Sequence, residues 1–491
     1  MHDTVNARKP VPMHTGDRLL LGCLIAFAVA APHSIALTQA AFGAGLMVWL
    51  TQLVRRRYFA YRLMTLDLPV ILFVGWSILA AVCSYEPAVS SGKLRSVSLF
   101  LIYFLVGQNL RRPEWGKRLV VALIASSFLN VGFVFWEKIA GRGMVIESLA
   151  EDSPLRTIGM ESGDVLLQVE GKTINSPDDL ARVWERRRGQ RLRVFFFRPE
   201  VYLTREITVP STDSQALGIQ SYRRWREFRA AGFYGWNYFT YAEVVQLLAS
   251  LLLGIWLMRE KRWDRRGCVI LGGVILLGIA LLLTVTRAAW VAFAFSTAAM
   301  VVVRVGRKGL LVLAVFLLLL APAAFHLLER TRGISSLNLR EPSTSYRLTV
   351  WREGLELLAR QPRHWIVGVG MDSLKRRWRE WGLFQGGRLP LGHFHSTPIQ
   401  IAVERGLPAL ALFLWWFALY LRLQWRLLRS SLPEKDPMVG GIVLGTLGGT
   451  LGFLLSSLVH YNFGDSEVAM IVYFQMGLME VFRRWSEGER G

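Results

Sequence analysis

The sequence predicts an all-α polytopic membrane protein of about twelve transmembrane helices, with one small α+β domain inserted on the far side of the membrane. Three observations lead to this prediction. Hydrophobic residues make up 52% of the 491 in the chain and are collected in long runs with few charges. Clusters of Arg and Lys separate these runs. Residues 141–210 contain neither a long apolar run nor a separating basic cluster, because short apolar segments alternate there with polar ones.

The apolar runs are long enough to be membrane spans, since a helix needs about 20 apolar residues to cross a bilayer. The first run continues almost directly into a second, so we expect an uncleaved membrane anchor rather than a signal peptide. Spans are predicted near residues 17–32, 34–53, 66–84, 96–110, 119–139, 237–258, 268–286, 288–303, 309–325, 405–421, 439–459 and 466–482.

The net charge of +22 would suit a nucleic-acid-binding protein, but the basic residues do not form one patch. They occupy every second loop between the predicted spans, and short loops rich in Arg and Lys remain cytoplasmic. We therefore expect no nucleic-acid partner. The expected surroundings are a lipid bilayer, with both termini in the cytoplasm.

The three cysteines, Cys23, Cys83 and Cys268, lie in or beside apolar spans. Their spacing suits neither a metal site nor a disulfide framework. We interpret them as small buried hydrophobic residues.

Residues 141–212 are predicted to form the inserted domain, between the fifth and sixth spans. Ser176 caps a helix that begins at Pro177, and Asp178 and Asp179 complete its first turn. The helix is expected to run to about residue 188. Strands are predicted at residues 144–149, 165–169, 172–174, 191–197 and 204–209.

The inserted segment resembles a PDZ domain of the bacterial, circularly permuted kind. The resemblance rests on Gly141-Arg142-Gly143-Met144, Ser153-Pro154-Leu155, Gly163-Asp164-Val165-Leu166 and Gly171-Lys172-Thr173-Ile174, followed by the helix after Ser176. It implies that the loop Gly141, Arg142, Gly143 and Met144 holds the C-terminus of a peptide, which adds a strand to the sheet. The alternative is a domain that packs on the membrane part and binds no peptide.

Outer loops should carry few charges, so the arginines there are informative. Arg287 follows the seventh span with no cytoplasmic cluster beside it. An arginine at that depth is costly unless it faces a cavity or an anion. The alternative is an arginine that reaches the outer interface along its own aliphatic stem.

A second basic group, Arg223, Arg224, Arg226 and Arg229, precedes the sixth span. For its first three arginines, an alternative interpretation is an amphipathic helix lying in the membrane interface. In that case Trp225, Phe228 and Trp236 would sit among the lipid headgroups.

The third basic region is the long outer segment 326–404. Within it, residues 345–360 predict an amphipathic helix. Its apolar stripe is Leu348, Trp351, Leu355 and Leu358, and Arg347 and Arg352 lie off that stripe. His393 and His395 follow, just before the tenth span.

These segments together resemble the O-antigen ligase and polymerase superfamily of bacterial membrane glycosyltransferases. The matching features are Arg229 to Asn237 at the start of a span, Thr286-Arg287-Ala288 after a span, Arg347 through Trp351 to Gly368-Val369-Gly370, and His395 through Gln400 and Glu404 to Gly406-Leu407. The resemblance covers the chain except for the inserted domain. The sequence departs from the family pattern at Ser396, where the family commonly has Asn.

The resemblance implies transfer of a glycan from undecaprenyl pyrophosphate to a hydroxyl of a glycan or lipid-linked acceptor, on the outer face of the membrane. Arginines suit the pyrophosphate because guanidinium groups bind phosphate oxygens bidentately. A histidine suits the acceptor proton. We assign catalysis to Arg287, Arg347 and His395, pyrophosphate binding to Arg229 and Arg352, and the role of rival base to His393. No metal or cofactor is expected.

The predicted organisation has five parts. They are N-terminal transmembrane helices (1–140), the inserted domain (141–212), central transmembrane helices (213–325), an extracytoplasmic catalytic loop (326–404) and C-terminal transmembrane helices (405–491). A polymerase that joins lipid-linked repeats remains an alternative to a ligase. From another class, a membrane transporter or sensor that carries a PDZ domain is a further alternative.

Overall fold

The computed structural model describes residues 14–56, 61–198, 201–209, 218–332 and 342–488. Each predicted span coincides with a helix, and these are α1 (Thr15–Ala30), α2 (Ile35–Arg56), α3 (Asp67–Val82), α4 (Pro87–Val97) continued by α5 (Leu101–Asn109), α6 (Pro113–Ala140), α8 (Tyr238–Met258), α9 (Arg265–Leu283), α10 (Arg287–Val305), α11 (Lys308–Arg332), α16 (Thr397–Arg429), α18 (Pro437–Ser457) and α19 (Ser466–Ser486). Within the described ranges, nine helices are long and apolar enough to cross a membrane. The protein is therefore a polytopic helical membrane protein.

Helices α8 and α18 form the centre of the helical bundle and are buried on nearly every face. Glycines bring their backbones together. A Cβ atom built on Gly445 would lie 2.5 Å from the Cα of Leu251, and one on Gly254 would overlap the backbone of Gly445. Small residues that allow close approach are a general means of packing membrane helices, where the hydrophobic effect contributes little between them.

The inserted domain is an antiparallel sheet with one helix on it. Its elements are β1 (Met144–Leu149), β2 (Val165–Val169), β3 (Lys172–Thr173), α7 (Pro177–Glu185), β4 (Arg191–Arg198), β5 (Val201–Thr208) and β6 (Ile219–Arg224). The strand order is β5-β4-β2-β1-β6, and β3 pairs with β2. The predicted strands are thus confirmed in existence and nearly in extent. Ser176 caps α7 as expected, since its Oγ accepts from Asp179 N at 3.2 Å.

Strand β6 lies outside the predicted domain boundary at residue 212, and this boundary is wrong. Its pairing with β1, from Met144 opposite Arg224 to Leu149 opposite Ile219, makes residues up to 224 part of the sheet. The interpretation of the segment that contains Arg223, Arg224 and Arg226 as an amphipathic helix in the membrane interface is also wrong. The chain is extended through Arg224, and Trp225 and Phe228 are buried against Val145, Val165 and Leu167 of the sheet.

The pairing of β6 with β1 predicts different stabilities for two excised fragments. Residues 141–225 should unfold cooperatively, whereas residues 141–212 should melt at a markedly lower temperature, because β1 would lose one of its two neighbours. Thermal unfolding followed by circular dichroism tests this. Equal melting temperatures for the two fragments would show that β6 contributes nothing to the fold.

A layer of short helices covers the end of the bundle at which α8, α10 and α16 begin. It contains α12 (Pro342–Ala359), α13 (Pro362–Val367), α14 (Leu374–Trp381) and the short left-handed turn α15 (Leu383–Gly387). A further short helix, α17 (Leu432–Lys435), lies at the opposite end of the bundle, between the end of α16 and the start of α18. Helix α12 is present as predicted, but its predicted apolar stripe is partly wrong. Leu348 and Leu355 are exposed, and the buried face carries Val350 and Leu357 instead.

The cysteines are also less buried than expected, since Cys23 and Cys83 are half-buried and Cys268 is exposed.

Helix α16 bends at Gly406, whose φ of 82° divides a short amphipathic part from the long apolar part. This bend explains why the tenth predicted span began near residue 405. The backbone of the short part is hydrogen-bonded to the segment after α13, because Gly370 N donates to Glu404 O at 3.0 Å.

Candidate functional site

A cavity of about 1000 Å³ lies at the end of the bundle where α8, α10 and α12 begin. Its basic lining consists of Arg229, Arg287, Arg347, His393, His395 and His460. The remaining wall includes Tyr238 and Phe239 of α8, residues 285–288, Ser343 and Tyr346 of α12, residues 389–392, and the end of α18. The inserted domain reaches the cavity as well, through Val201 at the start of β5.

Two arginines from different helices converge on Ser343. Arg287, the first residue of α10, donates from Nη2 to Ser343 Oγ at 3.4 Å. Arg347, one turn into α12, donates from Nη1 to Ser343 O at 3.4 Å. The first turns of α10 and α12 thus meet at the cavity wall. Helix N-termini present backbone N–H groups and a positive dipole end, so this wall favours an anion.

Arg229 has a different geometry from the other two cavity arginines. Its Nε donates to Thr284 O at 2.9 Å and its Nη2 to Val285 O at 2.8 Å. Its guanidinium carbon also lies 3.5 Å above the ring of Tyr238. Val285 has a φ of 50°, which is unusual for a β-branched residue. Arg229 therefore fixes the turn that places Arg287 at the cavity.

His393 and His395 form a pair of tilted rings at the cavity wall. Their ring centroids are 4.1 Å apart, and the ring of Tyr346 lies 5.4 Å from that of His395. The backbone N–H of His395 donates to Nδ1 of His393 at 3.1 Å. His395 has a φ of 49°, and strained residues of this kind are concentrated at functional sites.

Both imidazoles are held neutral by their surroundings. Burial, together with the neighbouring His393, Arg347 and His460, lowers the pKa of His395 to about 2. Burial, with Lys375 and His460 nearby, lowers the pKa of His393 to about 4. A neutral imidazole keeps a lone pair that can accept a proton or a hydrogen bond. An anion bound in the cavity would raise both pKa values.

The lowered pKa values predict that the protein without substrate loses stability in acid. Below pH of about 6.5 the unfolded chain protonates its histidines, whereas folded His393 and His395 stay neutral until much lower pH. The unfolded state is therefore favoured increasingly as the pH falls from about 6.5 toward about 4. We expect the unfolding temperature to fall over this range.

The control is the double variant His393→Gln, His395→Asn, in which asparagine is chosen because it tolerates positive φ. Its unfolding temperature should depend less on pH over the same range. The same acid sensitivity in both proteins would contradict the pKa shifts.

The structure brings together five of the residues singled out in the sequence, Arg229, Arg287, Arg347, His393 and His395. Arg352 lies elsewhere. Its side chain is 82% exposed and pairs with Glu356 at 2.9 Å. A separation of five residues on a helix turns a side chain by about 140° from Arg347, away from the cavity.

The loop Gly141–Met144 does not have the geometry expected of a peptide-binding loop. Arg142 N already donates to Trp225 O at 2.8 Å, and Gly143 N donates to Asn175 Oδ1 at 3.1 Å. Strand β1, which follows the loop, pairs with β2 on one side and β6 on the other. A peptide therefore cannot add a strand to β1, and β5 and β6 are the two ends of the main strand order.

Sequence reasoning missed His460 and its partner Glu243. Glu243 is an acidic residue inside an otherwise apolar span, which is itself a signal of function. His460 follows the eleventh predicted span, at the end of the bundle where few charges were expected. In the structure His460 lines the cavity, and its Nδ1 lies 3.0 Å from Glu243 Oε1.

Fold and site together define a polytopic helical membrane protein with a basic cavity at one end of its bundle. Residues 272–414 match the family model described as O-antigen ligase. The matched segment contains Arg287, Arg347, His393 and His395, while Arg229 and His460 lie outside it. A search of the curated proteins gives no match to this chain.

Proposed function

We propose that this protein is an O-antigen ligase-like glycosyltransferase of the bacterial inner membrane. It would transfer a glycan from undecaprenyl pyrophosphate to a hydroxyl of a glycan or lipid-linked acceptor, on the outer face. The observation that carries the proposal is the convergence of Arg287 and Arg347 on one histidine-lined cavity, inside the segment that matches O-antigen ligase.

In the proposed reaction the acceptor oxygen bonds to the anomeric carbon of the glycan. The bond between that carbon and the phosphate oxygen breaks, and its electron pair stays on the pyrophosphate. Negative charge grows there, and Arg287, Arg347 and the first turns of α10 and α12 stabilise it. Arg229 supports this arrangement by holding the turn before Arg287.

The acceptor hydroxyl loses its proton during the same step, and a neutral imidazole in the cavity is suited to take it. The sequence assigns this role to His395, with His393 as its rival, and His460 is a third imidazole at the same cavity. The arginines supply the charge stabilisation, so the reaction needs no metal. Transfer by the purified protein should therefore survive a strong chelator.

The proposal is tested by purifying the full-length protein and supplying a glycan on undecaprenyl pyrophosphate with a hydroxyl acceptor. Transfer of the glycan, with release of the lipid pyrophosphate, supports it. Lack of transfer to lipid core and to lipid-linked acceptors alike would refute it, and so would complete loss of activity on chelation.

Gene deletion separates a ligase from the alternative, a polymerase that uses the same kind of donor. A ligase mutant should lose attachment of the surface glycan. A polymerase mutant should keep the attachment and lose chain length.

A further inference from the structure

A buried carboxylate reaches the cavity through a histidine that the function proposed above does not use. Glu243 lies on α8 and is 1% exposed. Its Oε1 lies 3.0 Å from Nδ1 of His460, and its Oε2 accepts from Ser456 Oγ at 2.7 Å and from Asn462 Nδ2 at 3.4 Å. These hydrogen bonds hold the carboxylate of Glu243 in a fixed position.

His460 is held as firmly as Glu243. Its backbone oxygen accepts from the N–H of Thr397 at 3.0 Å and from Thr397 Oγ1 at 3.1 Å. Its ring packs edge-on against Phe239, with centroids 4.9 Å apart. Thr397 begins α16 two residues after His395, so the same short segment places both histidines at the cavity wall.

The carboxylate determines which ring nitrogen of His460 carries the proton. Because Nδ1 faces Glu243, Nδ1 is the donor and Nε2 keeps the lone pair. A carboxylate on the far side of an imidazole holds it in this tautomer and stabilises the imidazolium ion that forms when Nε2 takes a proton.

The other two cavity histidines have no comparable support. Among the hydrogen bonds of the described residues, neither His393 nor His395 is bonded to a carboxylate, and the positive charge of Arg347 acts on His395 in the same cavity. An imidazolium at His395 would be buried beside positive charge, whereas one at His460 would be paired. His460 is therefore the cavity histidine whose position beside a carboxylate suits it to accept a proton.

We propose that the Glu243–His460 pair is the proton acceptor of the transfer reaction, with the acceptor's proton ending on Nε2 of His460. This inference rests on the proposed function and assigns a residue to one of its steps. The proton leaves the acceptor oxygen as that oxygen bonds to the anomeric carbon, and the pyrophosphate departs with the electron pair of the broken bond. His460 is then catalytic, and Glu243 is a positioning residue that acts through it.

The test uses the purified full-length protein and the lipid-linked glycan donor. His460→Ala and Glu243→Gln should each lower kcat by about 100-fold, with KM for the donor nearly unchanged. Glu243→Gln keeps the size of the side chain and an oxygen that can face His460, but it removes the charge. Added imidazole should restore part of the activity of His460→Ala, because the cavity has room for it.

The matched control is Ser457→Ala, at the residue that follows Ser456. The hydroxyl of Ser457 donates to Leu454 O within its own helix. It should leave kcat unchanged. His460→Gln serves as a second variant if His460→Ala does not fold. Folding of each variant is checked by its unfolding temperature in detergent.

The outcomes separate this inference from the proposed function. Wild-type protein that transfers no glycan refutes the proposed function. Active wild-type protein together with near-normal kcat in folded His460→Ala, His460→Gln or Glu243→Gln refutes the proton-accepting pair alone. A lower unfolding temperature in Glu243→Gln with unchanged kcat would mean that the carboxylate only stabilises the fold.

Discussion

Arg287→Ala is expected to lower glycan transfer by about 100-fold or more while the protein still folds and inserts. The guanidinium lies at the first turn of α10, where it faces the cavity beside Ser343. Under the proposed function, its removal takes one of two converging positive groups away from the departing pyrophosphate. The measurement is the rate of transfer from a lipid-linked donor by purified protein.

Arg287→Lys should fail nearly as completely. Lysine keeps the charge but offers a single ammonium group in place of two parallel N–H donors. A rate within a few-fold of wild type in Arg287→Lys would mean that the contact with the pyrophosphate is not bidentate.

The matched control for both variants is Arg352→Ala. This arginine lies on α12 five residues beyond Arg347 and faces away from the cavity, paired with Glu356. Its loss should leave transfer near the wild-type rate. A loss at Arg352 equal to that at Arg287 would show that net positive charge, rather than the cavity, determines activity.

Gly445→Val is expected to prevent accumulation of folded protein in the membrane. A Cβ atom at this position would lie 2.5 Å from the Cα of Leu251 and 2.6 Å from its carbonyl oxygen. These are backbone atoms of α8, so the two central helices would have to move apart. Gly445→Ala should already lower the free energy of unfolding by about 1–3 kcal/mol or more.

The control is Gly278→Ala in α9, where no heavy atom lies within 4 Å of the added Cβ. Alanine favours helix over glycine, so this variant should be as stable as wild type or slightly more so. The measurements are the yield of monodisperse protein and its unfolding temperature. Equal yields of Gly445→Val and Gly278→Ala would contradict the close packing of α8 on α18.

The sequence was sufficient to predict the helices and most of the strands because both signals are local. An apolar run in a membrane protein has few alternatives to a helix, since its backbone must satisfy its own hydrogen bonds. The capping of α7 by Ser176 depends only on residues within one turn. Strand β6 was missed because its pairing with β1 joins residues distant in the chain, and its Tyr222, Arg223 and Arg224 do not alternate with buried apolar residues.

The cavity was predicted in part for a similar reason. A basic residue in an outer loop is visible in the sequence, so Arg287, Arg347 and His395 could be singled out. Whether a helix turns a side chain toward or away from the cavity depends on packing. The sequence alone therefore could not show that Arg347 faces the cavity and Arg352 does not. Glu243 was overlooked because its role depends on His460, which meets it only through the packing of α8 against the segment after α18.

The two ends of the inserted domain meet at one point of the structure. Arg142 N donates to Trp225 O at 2.8 Å, and the guanidinium of Arg224 donates to Ala140 O at 3.2 Å. The chain thus leaves the last turn of α6 and returns beside it. In evolutionary terms this junction is suited to the insertion of a domain, since a domain could be gained or lost there while α6 and α8 keep their positions.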